Sequence, residues 1–142
     1  MSAAEVAGWA ALFEGYEVKK SEVHGMAQRG GSVESHLRFG EKVYSPLIPE
    51  GQAHYLVPFD LQEARRLRRF LKNKGIDFSQ DLEETKRLLP DKRYVNVFLL
   101  GRLSQRLAIQ EKSWRLALER VFASRRLKEN MAVFSQGRGG IR

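Results

Sequence analysis

His24, Gln28 and Arg29 fall within the eleven-residue stretch Ser-Glu-Val-His-Gly-Met-Ala-Gln-Arg-Gly-Gly, residues 21–31. Gly25, Gly30 and Gly31 loosen its backbone, and the polar side chains around them have nothing apolar to cover. A loop of this composition is shaped to touch something. Arg29-Gly30-Gly31 sets consecutive flexible amides beside a guanidinium, the makings of a nest for an anion. A second irregular stretch, Ser45-Pro46-Leu47-Ile48-Pro49-Glu50-Gly51, follows close behind. Its two prolines remove two backbone donors and fix two φ angles. Arg138-Gly139-Gly140 repeats the Arg-Gly-Gly tripeptide near the other end. Neither copy is a Walker motif or a dinucleotide fingerprint.

Self-contained catalytic machinery is hard to find. With no cysteine, the chain offers no thiolate to a zinc ion, an iron–sulfur cluster or a disulfide. His36 and His54 lie on predicted strands, where a half-exposed sheet residue is the plain expectation, and no histidine pair has metal-ligand spacing. Glu22 and His24, two apart, point the same way only on a strand. No Gly-x-Ser-x-Gly elbow occurs. The acidic residues of 79–89 are explained by the positive end of a helix dipole rather than by paired-carboxylate chemistry.

The elements that must position these loops can be read from periodicity. Residues 3–14 predict a helix with Val6, Trp9, Ala10 and Phe13 on one face, closed by Gly15 in a left-handed cap. Tyr16–Val23 predicts a short strand feeding the glycine-rich loop. In Ser32–Phe39, Val33, Ser35, Leu37 and Phe39 alternate with Glu34, His36 and Arg38. Gly40-Glu41 reads as a tight hairpin turn with Lys42–Ser45 returning. Ala53–Phe59 predicts another strand. A helix follows, capped by Asp60, with Leu61, Ala64, Leu67, Phe70 and Leu71 as its stripe and Gly75 as its stop. Ser79 caps a helix over 79–89 that Pro90 ends. Tyr94–Leu107 predicts a helix whose first turns are deeply buried. Gln110–Phe122 follows with Trp114, Ala117 and Leu118 inward, then a last helix near Ser124–Gln136. The glycine-rich end, 137–142, has no apolar anchor and reads as a flexible tail. Strands and helices mix in the first half and helices fill the second, an α/β layer arrangement with a helical C-terminal extension.

Composition bounds the rest. The 142 residues are 42% apolar and 30% charged, ordinary for a globular domain. No apolar run is long enough to span a bilayer. The Met-Ser-Ala-Ala-Glu-Val start lacks a basic region ahead of an apolar run, so no secretory leader and a cytoplasmic location are expected. A net charge of +8 draws anions such as nucleic acid, a phosphorylated ligand or an acidic protein. The clusters Arg65, Arg66, Arg68, Arg69 and Arg125, Arg126, Lys128 both fall on predicted amphipathic helices, which favours plain solvated faces.

The stretch from Gly15 to Gly51 resembles the gamma-type domain of 2-oxoacid:ferredoxin oxidoreductases. His24-Gly25-Met26-Ala27-Gln28-Arg29-Gly30-Gly31 is similar to the form found in the indolepyruvate branch. The pyruvate and 2-oxoglutarate relatives usually carry Gly-Pro-Glu-x-Arg-Gly-Gly there. Tyr94–Gly101, Trp114 and the closing helix through Asn130 and Phe134 resemble the end of the same domain. The resemblance implies a Rossmann-like three-layer α/β domain over 1–136, serving as the small subunit of a hetero-oligomer. That enzyme decarboxylates an aryl 2-oxoacid, passes the acyl group to coenzyme A as co-substrate, and reduces ferredoxin. Thiamine diphosphate, Mg and the iron–sulfur clusters are implied on the large alpha subunit, with none, and no metal, on this chain.

The resemblance further implies that Glu22, His24, Gly25, Met26, Gln28, Arg29, Gly30 and Gly31 form a substrate, coenzyme A or subunit-interface loop. Ser45, Pro46, Pro49, Glu50 and Gly51 form a second. Both are expected to meet at one edge of the sheet and face the large subunit, with Arg29 contacting an anion. Two departures stand out. The family's domain opens with a strand and a Gly-x-Gly-Gly-x-Gly loop ahead of the helix with which this sequence begins. Beyond Gly75 it normally runs through a further strand and a longer linker. The expectation is a shortened relative or a chain lacking those segments. Two alternatives remain open: a nucleic-acid-binding module using Arg65, Arg66 and Arg69, though without interleaved aromatics for stacking, or a degenerate structural subunit. No membrane partner is expected.

Overall fold

A computed structural model describes residues 3–24, 33–123 and 126–139. The chain opens with α1 (Ala3–Glu14), then β1 (Glu17–His24), β2 (Val33–Gly40), β3 (Ala53–Leu56), α2 (Leu61–Leu67) and β4 (Leu71–Asp77). Four helices complete it: α3 (Ser79–Leu88), α4 (Val95–Ser104), α5 (Glu111–Phe122) and α6 (Leu127–Gly139). The architecture is mixed α/β, as expected. Among the described residues the strands form two separate pairs, β1–β2 antiparallel and β3–β4 parallel.

The helix predicted over 3–14 is present, and Gly15 closes it at φ +104°. Its inward face differs from the predicted one. Ala3, Val6, Ala7, Ala10 and Ala11 are buried, whereas Trp9 is half-buried and Phe13 exposed. Alanines let α1 lie close to α5 and the hairpin, while Trp9 stacks on Phe13 at the rim, 5.7 Å between centroids. Glu14 then caps α5: its Oε1 accepts the Gln110 amide at 3.0 Å and the Ser113 hydroxyl at 2.7 Å. Negative charge at a helix N-terminus meets the positive end of the dipole.

The predicted Gly40-Glu41 hairpin does not form. β2 pairs with β1, Glu17 opposite Gly40 and His24 opposite Val33, so the hairpin closes across the glycine-rich loop instead. Lys42–Ser45 is not a strand, and the Val43 amide donates to Glu17 Oε1 at 2.9 Å.

The helix after Asp60 is also shorter than predicted. Asp60 caps it as expected, Oδ1 accepting the Gln62 amide at 2.7 Å. The helix ends at Leu67, a 3-10 turn spans Arg68–Phe70, and Leu71–Asp77 becomes β4 beside β3. Pairing with β3 overrides the helical pattern, and β3–α2–β4 is a compact βαβ unit. Gly75 marks an irregularity rather than a stop: Lys74 sits at φ +69°, and a Cβ on Gly75 would come within 2.7 Å of Leu71 Cδ1. Ser79 is the first helical residue of α3, not its cap. Asp77 does that work, its Oδ1 accepting both the Ser79 amide (2.8 Å) and hydroxyl (2.6 Å).

The core joins α1, α4, α5 and α6 around Trp114, Leu118, Leu100 and Phe134. Early α4 is deeply buried, as predicted. Residues 137–139, read from sequence as the start of a loose tail, continue α6, and Gly137 is buried. A Cβ there would strike the Phe98 carbonyl, and one on Gly101 the Phe134 carbonyl. Two facing glycines let the α4 and α6 backbones touch.

Candidate functional site: a buried polar face beneath a fixed loop

Strand alternation puts Glu34, His36 and Arg38 on one face of β2, and that face is covered. Glu34 and His36 are 8% and 6% exposed. His36 Nδ1 accepts the Ile48 amide at 3.0 Å. A ring nitrogen that accepts carries no proton, so the ring proton is on Nε2 and donates to Glu34 Oε2 at 2.8 Å. The other oxygen of Glu34 accepts from Arg66 Nη1 at 2.8 Å, and Arg66 also grips Glu63 through Nε and Nη2. The Phe70 ring meets the His36 ring edge-on, 5.0 Å between centroids. Burial pushes the Glu34 carboxyl up, but the hydrogen bonds from His36 and Arg66 and the Arg66 charge outweigh it. The net position lies below the ordinary carboxylate range. Both Glu34 oxygens are engaged internally, so the cluster is built to hold rather than to react.

What it holds is the second loop. Arg38 Nη1 donates to the Ser45 carbonyl (3.1 Å) and the Leu47 carbonyl (3.2 Å), and Ser45 Oγ accepts the Leu47 amide at 3.3 Å. Pro49-Glu50-Gly51-Gln52 is a turn in which the Gln52 amide donates to the Pro49 carbonyl at 3.2 Å. Gly51 sits at its third position with φ +79°, the angle a type II turn requires there. The Gly51 amide donates to the Arg69 carbonyl at 3.0 Å, and Glu50 lies 3.6 Å from Arg69 Nε. This backbone is tied from one end to the other, yet Tyr44 is 88% and Leu47 50% exposed.

Of the residues singled out in the sequence, Ser45, Pro46, Pro49, Glu50 and Gly51 thus form one fixed loop. Glu22 lies exposed on β1, and it shares the rim of a large cavity with Pro49. His24 ends β1, and its side chain lies outside the described residues, as do Gly25, Met26, Gln28, Arg29, Gly30 and Gly31. The residues that anchor this loop, Glu34, His36 and Arg38, were not among those singled out in the sequence. His36 was expected to be half exposed. The two-residue spacing noted at Glu22 and His24 recurs at Glu34 and His36, and there it makes a real pair.

Of the three arginines offered to nucleic acid, Arg66 is bound to Glu34 and Glu63, and Arg69 lies over the Phe70 ring at 4.7 Å while donating to the Arg66 carbonyl. Arg68, in the same basic cluster, pairs with Asp77 at 3.0 Å. No group of three metal-ligating side chains occurs among the described residues.

The α/β unit thus fixes one loop, 44–51, whose Tyr44 and Leu47 tips are exposed. The chain belongs to the pyruvate ferredoxin/flavodoxin oxidoreductase family, whose pattern matches residues 1–78. Over 79 residues it is 48% identical to an indolepyruvate oxidoreductase subunit IorB of Thermococcus kodakarensis, covering 56% of this chain and 39% of that one. The Pyrococcus horikoshii protein of the same description is 47% identical over 79 residues, with the same coverage. The chain therefore spans about two fifths of the length of these curated relatives. In fold it is similar to the crystal structure of a keto/oxoacid ferredoxin oxidoreductase gamma subunit from Geobacter sulfurreducens, with a TM-score of 0.73 at 17% identity. That likeness covers 96% of this chain and 88% of the other. The family match in sequence ends at residue 78, just after β4, whereas the structural likeness runs on through the helices that follow.

Proposed function

We propose that this chain is the small subunit of a 2-oxoacid:ferredoxin oxidoreductase acting on indolepyruvate or a related aryl pyruvate. The enzyme would convert the 2-oxoacid, coenzyme A and oxidised ferredoxin into acyl-coenzyme A, carbon dioxide and reduced ferredoxin. Thiamine diphosphate, Mg and the iron–sulfur clusters then belong to a large companion subunit. This division agrees with the sequence, since 142 residues without cysteine supply no thiolate to a cluster.

The observation that carries the reading is the fixed 44–51 loop. Its backbone is held by Arg38, His36 and Arg69, while Tyr44 and Leu47 face water. Ordering the loop beforehand lowers the entropic cost of docking, and exposed aromatic and aliphatic tips are what a partner chain buries. The glycine-rich loop leaves β1 at His24 and enters β2 at Val33, one residue before Glu34, on which the anchoring cluster is built. In this reading both loops meet the companion at one edge of the sheet, with Arg29 contacting an anion: a coenzyme A phosphate, a substrate carboxylate or a carboxylate of the companion.

A single gamma-type domain extending through α6 and a Rossmann-like layering belong to the same reading, supported by the parallel β3–α2–β4 unit. A cytoplasmic setting fits the use of ferredoxin. Co-expression with a candidate large subunit tests the proposal: the two should purify together and show indolepyruvate-dependent dye reduction that neither shows alone. Failure to associate would overturn it.

A further inference from the structure

His36 fastens the middle of the 44–51 loop with an atom that can turn from acceptor into donor. Its Nδ1 accepts the Ile48 amide at 3.0 Å, while Nε2 carries the ring proton and donates to Glu34 Oε2 at 2.8 Å. A second ring proton would go on Nδ1, and an imidazolium donates from both nitrogens. Two N–H groups would then face each other at the Ile48 contact, and the bond would be lost. The residue is 6% exposed and Phe70 meets its ring edge-on, 5.0 Å between centroids, so the ring has little room to present another face.

The charges around the ring set the terms of proton uptake. Glu34 lies against Nε2 and favours the imidazolium. Its carboxyl ionises below the ordinary value of 4.5, so this counter-ion is in place across the range, about pH 5 to 8, in which histidines change charge. Arg66 of α2 opposes uptake, but it is shared between Glu34 at 2.8 Å and Glu63 at 2.9 Å. On the same face Arg38 stands two residues along β2, and Lys19 of β1 lies opposite Arg38. Arg69, over the Phe70 ring at 4.7 Å, lies 3.6 Å from Glu50. Tyr55 of β3 lines a small cavity of about 60 Å³ together with His36 and Ile48.

We infer that His36 is a proton-sensitive latch: uptake of a second ring proton expels the Ile48 amide and unfastens the middle of the loop. Arg38 stays on the Ser45 and Leu47 carbonyls, and the Gly51 amide stays on the Arg69 carbonyl. Arginine does not titrate in this range, so release is confined to the segment around Ile48, beside the exposed Leu47. Proton and amide compete for one lone pair. Falling pH therefore favours the open loop, by up to about tenfold per pH unit for a single proton. Under the subunit reading the same proton would loosen a docked loop, but the latch itself rests only on bonds within this chain.

Amide exchange and ring-nitrogen NMR on the whole protein, between about pH 7.5 and 5, test the latch. The Ile48 protection factor, which already allows for the intrinsic pH dependence of exchange, should fall about tenfold or more as Nδ1 takes up its proton. Protection of the Gly51 amide should hold to within about twofold. Glu34→Gln keeps an acceptor for Nε2 but removes the charge, so both the ring titration and the loss at Ile48 should move to lower pH by about one unit or more. The comparison of Ile48 with Gly51 in the parent keeps the test valid should that variant misfold. Ile48 protection unchanged down to pH 5, an Nδ1 titration without effect on Ile48, an equal loss at Gly51, or no downward move in Glu34→Gln would each overturn the assignment. The experiment needs no large subunit, so its failure is separable from failure of the proposed activity.

Discussion

The Nδ1 of His36 accepts the amide proton of Ile48 at 3.0 Å, and this bond joins the buried face of β2 to the loop that displays Tyr44 and Leu47. His36→Ala removes it, strands the Ile48 amide and frees one oxygen of Glu34. A lost buried hydrogen bond of this kind costs about 1–3 kcal/mol. Urea unfolding should show a loss in that range, with the Ile48 amide exchanging faster than in the parent. A variant as stable as the parent, with Ile48 equally protected, would contradict the anchoring role.

Glu34 predicts a pH dependence. Its carboxyl ionises below the ordinary value of 4.5 in the folded chain: burial opposes this, but bonds from His36 and Arg66 prevail. A group whose folded pKa is depressed stabilises the fold above its unfolded pKa, and that contribution is lost as pH falls through the folded value. Between pH 7 and pH 3, the parent should therefore lose more stability than Glu34→Gln, which cannot titrate. Denaturant titrations at the two pH values measure the difference, and an equal loss in both proteins would refute it.

Gly137→Ala probes the crossing of α4 and α6. The added methyl meets the Phe98 carbonyl, a backbone atom that cannot rotate away. Overpacking typically costs about 1–3 kcal/mol, whereas an uncrowded glycine-to-alanine change within a helix gains up to about 1 kcal/mol. Thermal unfolding should show a lower midpoint, and a raised midpoint would mean that the helices do not touch there.

Arg29→Ala addresses the glycine-rich loop. A charge-assisted hydrogen bond is worth roughly 1.5–3 kcal/mol, so affinity for the large subunit, or for coenzyme A in the complex, should fall about 10–150-fold. Titration of the purified subunits reads the first and saturation kinetics the second. Unchanged values for both would remove Arg29 from the interface.

Much of this was legible from local chemistry. Asp60 and Gly15 announced their caps, the alternation of β2 gave its two faces, and the two prolines marked the fixed loop. What failed depended on distant partners. Leu71 continues the helical stripe that Gly75 was expected to stop, and only β3 beside it makes Leu71–Asp77 a strand. Glu34 and His36 look like an exposed polar edge until α2 and the 45–52 segment fold over them. Gly137 resembled a loose end because its contact lies some forty residues back, at Phe98.

The central claim is that this chain works only as part of a larger enzyme. Co-expressed with a cognate large subunit, purified as a complex and supplied with coenzyme A, it should support indolepyruvate-dependent dye reduction that disappears when either subunit is left out. Full turnover by the large subunit alone, or by this chain alone as a monomer, would contradict the account.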